Sequence, residues 1–179
     1  MQNRYTGDIG DFSKLGLLRA LRAAGLSIGL NWYLTPDETH NGDGRHVGYL
    51  DQDEYRECDE ELWLELRAIV KEGRRKVCYM ENERVLEAAF FSECIDFSAG
   101  ARGERRRCLP RAERDALRGE WFGRSLAMLA RVDVVCVDPD NGLVVPSAKG
   151  KPKENKYVLP ARGACASFPT SGWQGCGRS

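Results

Sequence analysis

Apolar and polar residues follow one another along this chain in a pattern that predicts alternating helices and strands. From 11 to 24 the apolar residues recur every three or four positions, which is typical of a helix with one buried face. Asp11 is the predicted N-cap of this helix, and Gly25 ends it. The segment 27–34 is mostly apolar and stops at the breaker 35–37, so it predicts a buried strand.

The rest of the pattern repeats this alternation. Asp59 is the predicted N-cap of a second amphipathic helix that ends at Gly73, and 76–80 predicts a short strand. A third helix is expected over 111–130. It leads into 132–137, whose β-branched residues are typical of an interior strand of a parallel sheet. This order of elements predicts an α/β fold with right-handed crossovers and a mostly parallel sheet.

The length of 179 residues fits one domain with a single core, which we assign to 1–159. The remaining segment, 160–179, contains glycines and scattered apolar residues with neither a helical nor a strand period. Two interpretations of this irregular segment are open. In the first, the segment is a non-native tail, and the fold is incomplete at its C-terminus. In the second, it is a covering loop held by Phe168 and Trp173.

Charge and cysteine content narrow the class of protein. Lys+Arg and Asp+Glu number 27 each, so no overall charge attracts nucleic acid or an acidic membrane. Seven cysteines, an odd number with no CxxC pair, argue against a disulfide framework and a structural zinc site. No signal segment and no membrane-spanning apolar stretch are evident, so we expect a cytoplasmic location without a membrane partner.

Two local basic clusters are exceptions to the balanced charge. Each is either a surface that tracks phosphates or a solvated face. The first cluster contains Arg102, Arg105, Arg106, Arg107, Arg111 and Arg114, and the second contains Lys149, Lys151, Lys153 and Lys156.

The candidate catalytic residues follow the strand 132–137. They are Asp138, Asp140 and Asn141, and Pro139 and Gly142 turn the chain sharply there. In open α/β sheets ligands bind outside the carboxyl ends of the strands, where these polar side chains are expected. An ordinary β-turn is the alternative, because the same residue types favour turns for local backbone reasons.

The segment 5–14 contains a second candidate site. Its glycines allow close backbone approach, and the start of the predicted helix favours an anion. Asp8 and Lys14 are therefore grouped with Arg105, Arg106 and Arg107 as nucleic-acid-binding candidates. The competing interpretation is a plain helix cap preceded by turn glycines.

A polar loop after the first predicted strand contains the third candidate site. Glycines at this position let the backbone approach a nucleotide-type cofactor, and an acidic residue can hold its ribose. The cofactor-binding candidates are Asp37, Thr39, His40, Gly42 and Gly44. A divalent-metal site built from His40, His46, Asp37 and Asp43 and a solvent-exposed loop are the alternatives.

In order, these three segments resemble the adenine methyltransferases that modify large-subunit ribosomal RNA. Residues 5–14 are similar in layout to their opening HAGNHADVLKH, 39–45 to the cofactor loop DTHAGAGRY, and 138–141 to the catalytic DPPY. The resemblance implies a Rossmann-like three-layer sandwich, S-adenosylmethionine as cofactor and nucleic acid as substrate. The chain also resembles a bacterial and phage group with GDxGDF and DPDNGL motifs, which implies no particular function.

The departures from the methyltransferase pattern leave other functions open. Asn141 replaces the aromatic residue that stacks on the flipped base, and Asp140 adds a second carboxylate. One extra residue separates Asp37 from Thr39. The first alternative is a nuclease-like enzyme in which Asp8, Asp138 and Asp140 gather a magnesium ion. The second is a phage or host accessory protein that binds a partner without catalysis.

Overall fold

The computed structural model describes residues 1–38, 44–99 and 107–159, which form a mixed α/β structure. The helices are α1 (Ile9–Ala23), α2 (Asp53–Arg56), α3 (Glu60–Lys71), α4 (Val77–Asn82) and α5 (Arg111–Met128). The strands are β1 (Ile28–Asn31), β2 (Ala89–Phe91), β3 (Ser98–Ala99), β4 (Arg107–Cys108) and β5 (Val134–Val137). Short 3-10 helices lie at Asn3–Tyr5, Gly48–Asp51 and Pro152–Lys156.

The main sheet places β1 between β2 and β5, and both neighbours run parallel to it. Gly29 of β1 is the partner of Ala89 on one side and of Val135 on the other. Because the chain adds β2 on one side of β1 and β5 on the opposite side, the strand order reverses at β1. The carboxyl ends of these strands meet at one edge of the sheet. β3 and β4 form a separate antiparallel pair.

Helices cover both faces of the central strand. On one face Ile28 and Leu30 pack into a core that α1 and α3 complete with Leu15, Leu18, Leu62 and Leu66. On the other face Phe91 and Tyr33 pack edge-on against Trp121 of α5, with ring centroids 5.2 and 4.8 Å apart. Successive residues of β1 and β2 point to opposite faces of the sheet, so these strands contribute side chains to two apolar clusters, one on each face.

The caps of the first two long helices show how local sequence sets their start. Asp59 caps α3 as predicted, since its side chain accepts a hydrogen bond from Leu62 N at 3.1 Å. The cap predicted for α1 is wrong. Asp8 performs that role by accepting from Asp11 N at 3.1 Å, and Asp11 is buried in the first turn. Asp8 has the extended backbone that an N-cap requires, whereas Asp11 is already helical.

Two strand predictions are also wrong in detail. The segment 76–80 belongs to helix α4, because Val77 and Met80 lie one turn apart and are both buried against the core. β5 was expected in the sheet interior, but within the described residues β1 is its one neighbour in the sheet, so β5 lies at an edge. In the same ranges, no helix is long and apolar enough to span a bilayer.

Candidate functional site

The carboxyl edge of the sheet and the start of α1 enclose a small cavity. Asp138 directly follows β5, and its backbone N–H donates to Asn31 O of β1 at 2.9 Å. Ligands of parallel α/β sheets bind at this edge, where the strand order reverses. The cavity measures about 210 Å³ and is lined by Met1, Tyr5, Asp8, Gly10, Asp11, Lys14, Asp138, Pro139 and Asp140.

Lys14 holds two carboxylates together at the base of this cavity. Its Nζ lies 2.8 Å from Asp11 Oδ1 and 2.6 Å from Asp138 Oδ2. Asp11 and Lys14 face the same side of α1 because they are three residues apart on a helix. The ammonium also lies 5.0 Å from the centre of the Trp32 ring. Helix α1 is thereby tied to the turn after β5.

The charges of this group are strongly coupled. Burial lowers the pKa of Lys14, but attraction by Asp11 and Asp138 outweighs it and raises the pKa above its ordinary value. Burial raises the pKa of Asp11, and the neighbouring Lys14 ammonium opposes that rise. Lys14 therefore remains a cation at neutral pH and cannot act as a general base.

Two carboxylate oxygens of the cavity residues have neither a hydrogen bond nor an ion pair among the described residues. They are Oδ1 of Asp138 and Oδ2 of Asp8, whose other oxygens bind Lys14 and Asp11 N. The cavity is lined by four carboxylates, Asp8, Asp11, Asp138 and Asp140, which outnumber its two cations, Lys14 and the Met1 amino group, even with Arg75 near Asp8 and Asp11. This excess of negative charge favours a ligand that donates N–H groups or carries positive charge, and it disfavours a phosphate.

Asp140 lies in a different environment from Asp138, although only Pro139 separates them. Its side chain is 4% exposed, and its Oδ1 lies 2.6 Å from the Met1 amino group. Its Oδ2 accepts from Gln2 Nε2 at 2.8 Å and lies 3.8 Å from Lys156 Nζ. Burial lowers the pKa of the Met1 amino group, and Asp140 opposes that shift. Asp140 thus anchors the turn after β5 to the start of the chain.

The third predicted catalytic residue, Asn141, lies on the surface. Its backbone N–H donates to Lys156 O at 3.0 Å, and the residue is exposed. The structure therefore brings Asp138 into the cavity, buries the Asp140 carboxylate in ion pairs and leaves Asn141 outside. The catalytic role of each stays a prediction.

Much of the predicted cofactor loop, including Thr39, His40 and Gly42, lies outside the described residues. Asp37 Oδ1 accepts a hydrogen bond from the Arg4 backbone N–H at 3.3 Å, so the chain itself engages one oxygen of that carboxylate. Gly44 has a φ of +81°, and a Cβ there would lie 2.5 Å from Tyr5 Cδ1 and 2.7 Å from Arg4 O.

The close approach at Gly44 is therefore made by the protein's own chain. The Gly44 carbonyl also accepts from Arg75 Nη2 at 2.5 Å, which fixes this end of the loop. The chain itself thus occupies the space beside Gly44 and one oxygen of Asp37, and binding of S-adenosylmethionine stays a prediction.

The predicted nucleic-acid-binding residues do not form one surface. Arg105 and Arg106 lie outside the described residues, and Arg107 is exposed on β4. Lys14 is 16% exposed and is held by two carboxylates, so it does not present a free cation to phosphates. Asp8 caps α1 at the cavity.

In the second basic cluster, one lysine is paired with a carboxylate and three are exposed. Lys156 pairs with Glu38 Oε2 at 2.5 Å, whereas Lys149, Lys151 and Lys153 are exposed. A phosphate-tracking surface on this segment would therefore use the three exposed lysines.

A magnesium site was the alternative expected from Asp8, Asp138 and Asp140. Across 1–38, 44–99 and 107–159, no group of three or more His, Cys, Asp or Glu side chains is arranged to hold a metal ion. Lys14 and the Met1 amino group already neutralise Asp138 and Asp140. Magnesium binding stays a prediction.

Several residues that shape the site were not found by sequence reasoning. Gln2 and Glu38 join the Asp140 network, since Glu38 N donates to Gln2 Oε1 at 2.8 Å. Gln2 lies 36 positions from Glu38 and 138 positions from Asp140 along the chain, so no local pattern could have indicated these contacts. Tyr5 is different, because an aromatic residue beside the 7–10 glycine pair is a visible signal.

No protein-family model, curated protein or solved structure matches the chain. The comparisons therefore neither support nor contradict the resemblance to methyltransferases.

Proposed function

We propose that the protein is an enzyme that binds an amino group of its substrate at Asp138. We further propose that its sheet belongs to a Rossmann-like sandwich and that the reaction is methyl transfer to a nucleobase nitrogen, as the resemblance implies. The observation that carries the proposal is the state of the Asp138 carboxylate. Lys14 fixes one oxygen at 2.6 Å, and the other has no hydrogen-bond partner among the described residues beside the cavity.

The size and charge of the cavity support a small N–H donor as the group that enters it. A volume of about 210 Å³ is below the range of roughly 300–1,000 Å³ that is usual for whole drug-sized ligands. The cavity suits the amino-bearing edge of one base rather than a complete nucleotide. Its excess of carboxylates attracts that edge and repels the phosphates attached to the same molecule.

Each residue then has a defined task. Asp138 accepts an N–H of the substrate amino group and orients the nitrogen lone pair away from itself, and it receives the proton that the nitrogen loses. Lys14 holds the Asp138 carboxylate in place. Tyr5, the aromatic residue that lines the cavity, provides a ring for the base where Asn141 provides none.

The substrate that this proposal favours is a nucleic acid in the cytoplasm. The exposed Lys149, Lys151 and Lys153 follow the same strand as Asp138, and they are free to contact phosphates outside the cavity. S-Adenosylmethionine remains the donor that the resemblance implies.

A magnesium-dependent phosphodiesterase is the second candidate. The observation in its favour is the excess of carboxylates over cations in the cavity lining, because magnesium prefers carboxylate ligands. Under this alternative Asp8 and Asp138 would offer their unpartnered oxygens to the ion. Asp140 is not required, since the Met1 amino group neutralises it.

The test is transfer of a labelled methyl group from S-adenosylmethionine to a single-stranded oligonucleotide that contains all four bases. We expect transfer by the wild-type protein and a loss of about 100-fold in Asp138→Asn. Asp133→Asn is the matched control, because Asp133 precedes the same strand, is exposed and contacts Ser27 rather than the cavity.

Equal transfer by Asp138→Asn and the wild type would overturn the assignment of Asp138. Cleavage of the oligonucleotide that requires magnesium, with no methyl transfer, would replace the proposal by the second candidate.

A further inference from the structure

A second cavity lies between the start of α5 and the segment that follows β5. It measures about 480 Å³ and shares no lining residue with the cavity at Asp138. Its apolar wall consists of Val144, Val145, Pro146 and Leu159, and its lining also contains two carboxylates and two cations. Val144 N–H donates to Val158 O at 2.9 Å, so backbone pairing holds this wall in place. We call this space the Glu154 cavity.

Glu154 is the buried acidic group of this cavity. The residue is 6% exposed, and its Oε1 accepts a hydrogen bond from Gly150 N at 3.1 Å. Its Oε2 has neither a hydrogen bond nor an ion pair among the described residues. Because buried carboxylate oxygens are normally hydrogen-bonded, an unpartnered one in a cavity lining indicates a ligand that donates N–H groups.

The turn at Gly150 fixes the position of the Glu154 carboxylate. Gly150 has a φ of +73°, and a Cβ there would lie 3.6 Å from Arg111 Nη1. The Gly150 carbonyl accepts from Arg114 Nη2 at 2.8 Å, while its N–H binds Glu154. Two arginines of α5 therefore hold the backbone that holds the carboxylate. The acceptor is positioned before a ligand enters, which lowers the cost of binding.

Two buried arginines of α5 bind the backbone on either side of Glu154. Arg114 donates to Gly150 O, and Arg118 donates to Tyr157 O at 3.1 Å. Neither forms an ion pair or a hydrogen bond with Glu154 in the part of the chain that the structure describes. They offset part of the negative charge of Glu154. Its Oε2 nevertheless still lacks a donor.

The two cations of the lining, Arg111 and Lys149, differ in their partners. Arg111 Nε lies 3.6 Å from Asp115 Oδ2. Lys149 is exposed and has no ion pair within 1–38, 44–99 and 107–159. It directly precedes Gly150, so its flexible side chain begins beside the Glu154 carboxylate. An N–H acceptor and an unpaired cation are therefore within reach of one small ligand.

We propose that the Glu154 cavity binds a free α-amino acid with an apolar side chain. The amino group of the ligand donates to Glu154 Oε2, and its carboxylate binds the Lys149 ammonium. The side chain of the ligand packs on the apolar wall. The volume of about 480 Å³ lies within the range of roughly 300–1,000 Å³ that is usual for small-ligand sites.

The charges of the lining favour this ligand over a nucleotide. Two carboxylates and two cations balance each other, which suits a ligand without net charge better than a phosphate. Lys151 and Lys153 do not line this cavity and stay available for the phosphate contacts described above. The inference does not rest on the proposed function.

Isothermal titration of the full chain with L-leucine, 3-methylbutylamine and 4-methylpentanoate tests the proposal. The second compound lacks the carboxylate of leucine, and the third lacks its amino group. We expect saturable binding of leucine and about 10-fold weaker binding of each analogue, since each loses one charged contact. No saturable heat from leucine up to about 10 mM, or an analogue that binds as tightly as leucine, would overturn the proposal.

Glu154→Gln tests the acceptor. The amide can keep the hydrogen bond from Gly150, but it removes the charge that attracts the amino group, so leucine should bind about 10-fold more weakly. Glu113→Gln is the matched control, because Glu113 is exposed on the same helix and does not line the cavity. Circular dichroism establishes that each variant is folded. Unchanged leucine binding by a folded Glu154→Gln would overturn the proposal.

Lys149→Met keeps the proposal testable if Glu154→Gln does not fold, because Lys149 is exposed. Leucine should bind about 5-fold more weakly to this variant, whereas binding of 3-methylbutylamine, which has no carboxylate, should not change. Lys151→Met is the control. Unchanged leucine binding, or an equal loss for both compounds, would contradict the contact with Lys149. No methyl donor or nucleic acid enters these titrations, so their failure leaves the proposed function intact.

Discussion

Lys14 Nζ and Asp138 Oδ2 lie 2.6 Å apart, although 124 positions separate the two residues along the chain. This ion pair joins the second turn of α1 to the turn after β5. It also fixes the position of the Asp138 carboxylate, and the Lys14 ammonium that holds it stays a cation because its own pKa is raised. The stability of the carboxyl edge and the chemistry proposed for it therefore depend on the same lysine.

Replacing Lys14 with methionine should destabilise the protein by about 3 kcal/mol, because Asp11 is left as a buried carboxylate without its cation. Urea denaturation followed by circular dichroism measures this change. Lys71→Met is the control, since Lys71 is exposed and its nearest carboxylate oxygen lies 3.9 Å away. We expect its effect to stay within about 0.5 kcal/mol.

Adding Asp11→Asn to Lys14→Met should restore part of the lost stability, because the uncompensated charge is then removed. Strictly additive losses in the double variant would show that Lys14 and Asp11 do not stabilise each other.

Asp140→Asn should mainly reduce stability and Asp138→Asn should mainly reduce substrate binding, although the two residues are close neighbours. Asp140 is the buried partner of the Met1 amino group, so Asp140→Asn should lower the free energy of unfolding by about 3 kcal/mol. Asp138 is more exposed and should affect stability less, but its loss should remove substrate binding.

Urea denaturation and isothermal titration with adenosine separate these two effects. A strongly destabilised Asp138→Asn with normal adenosine binding would contradict the division of roles.

Alkaline pH should destabilise the protein. The pKa of Lys14 in the folded protein is raised above 10.5, so its stabilising contribution is complete below that pH and is lost as pH rises through the folded-state pKa. The pKa of Tyr49 is raised above 10.0, chiefly by burial, and ionisation of this phenol acts in the same direction. Denaturation midpoints measured from neutral pH to about pH 11 should therefore fall only at the alkaline end.

Tyr49→Phe provides the comparison for this pH dependence. The variant loses the hydrogen bond from Tyr49 to Gly7 O at 3.1 Å, which costs about 1 kcal/mol at neutral pH. Its stability should nevertheless decline less steeply above pH 10, since the buried phenol is absent. An equally steep decline would mean that Tyr49 does not contribute.

Gly44→Ala should be much more harmful than Gly73→Ala. Both glycines have a positive φ, +81° and +69°, so each substitution carries backbone strain of about 1 kcal/mol. Only at Gly44 would the new methyl group also meet Tyr5 and Arg4, whereas nothing lies within 4 Å of the Cβ position at Gly73. We expect a total loss of about 3 kcal/mol for Gly44→Ala in thermal or urea denaturation. Equal losses in the two variants would show that the loop moves aside.

Features that depend on a few neighbouring residues were predictable from the sequence. Asp59 caps α3 because its side chain reaches a backbone N–H three residues away, and the apolar spacing of 111–130 indicates α5. The position of Asp138 at the end of a parallel strand was predictable for the same reason. The sequence by itself therefore determined the α/β class and the edge of the sheet at which polar residues gather.

Only the tertiary structure decided what those polar residues contact. Lys14 and Asp138, and Asp140 and the Met1 amino group, meet because the parallel strands and α1 bring distant segments together. The segment 76–80 became a helix because Val77 and Met80 pack on one core face, a contact that overrides its short apolar run. Burial and long-range ion pairs depend on the packed arrangement of the whole chain, so residue patterns a few positions long contain no information about them.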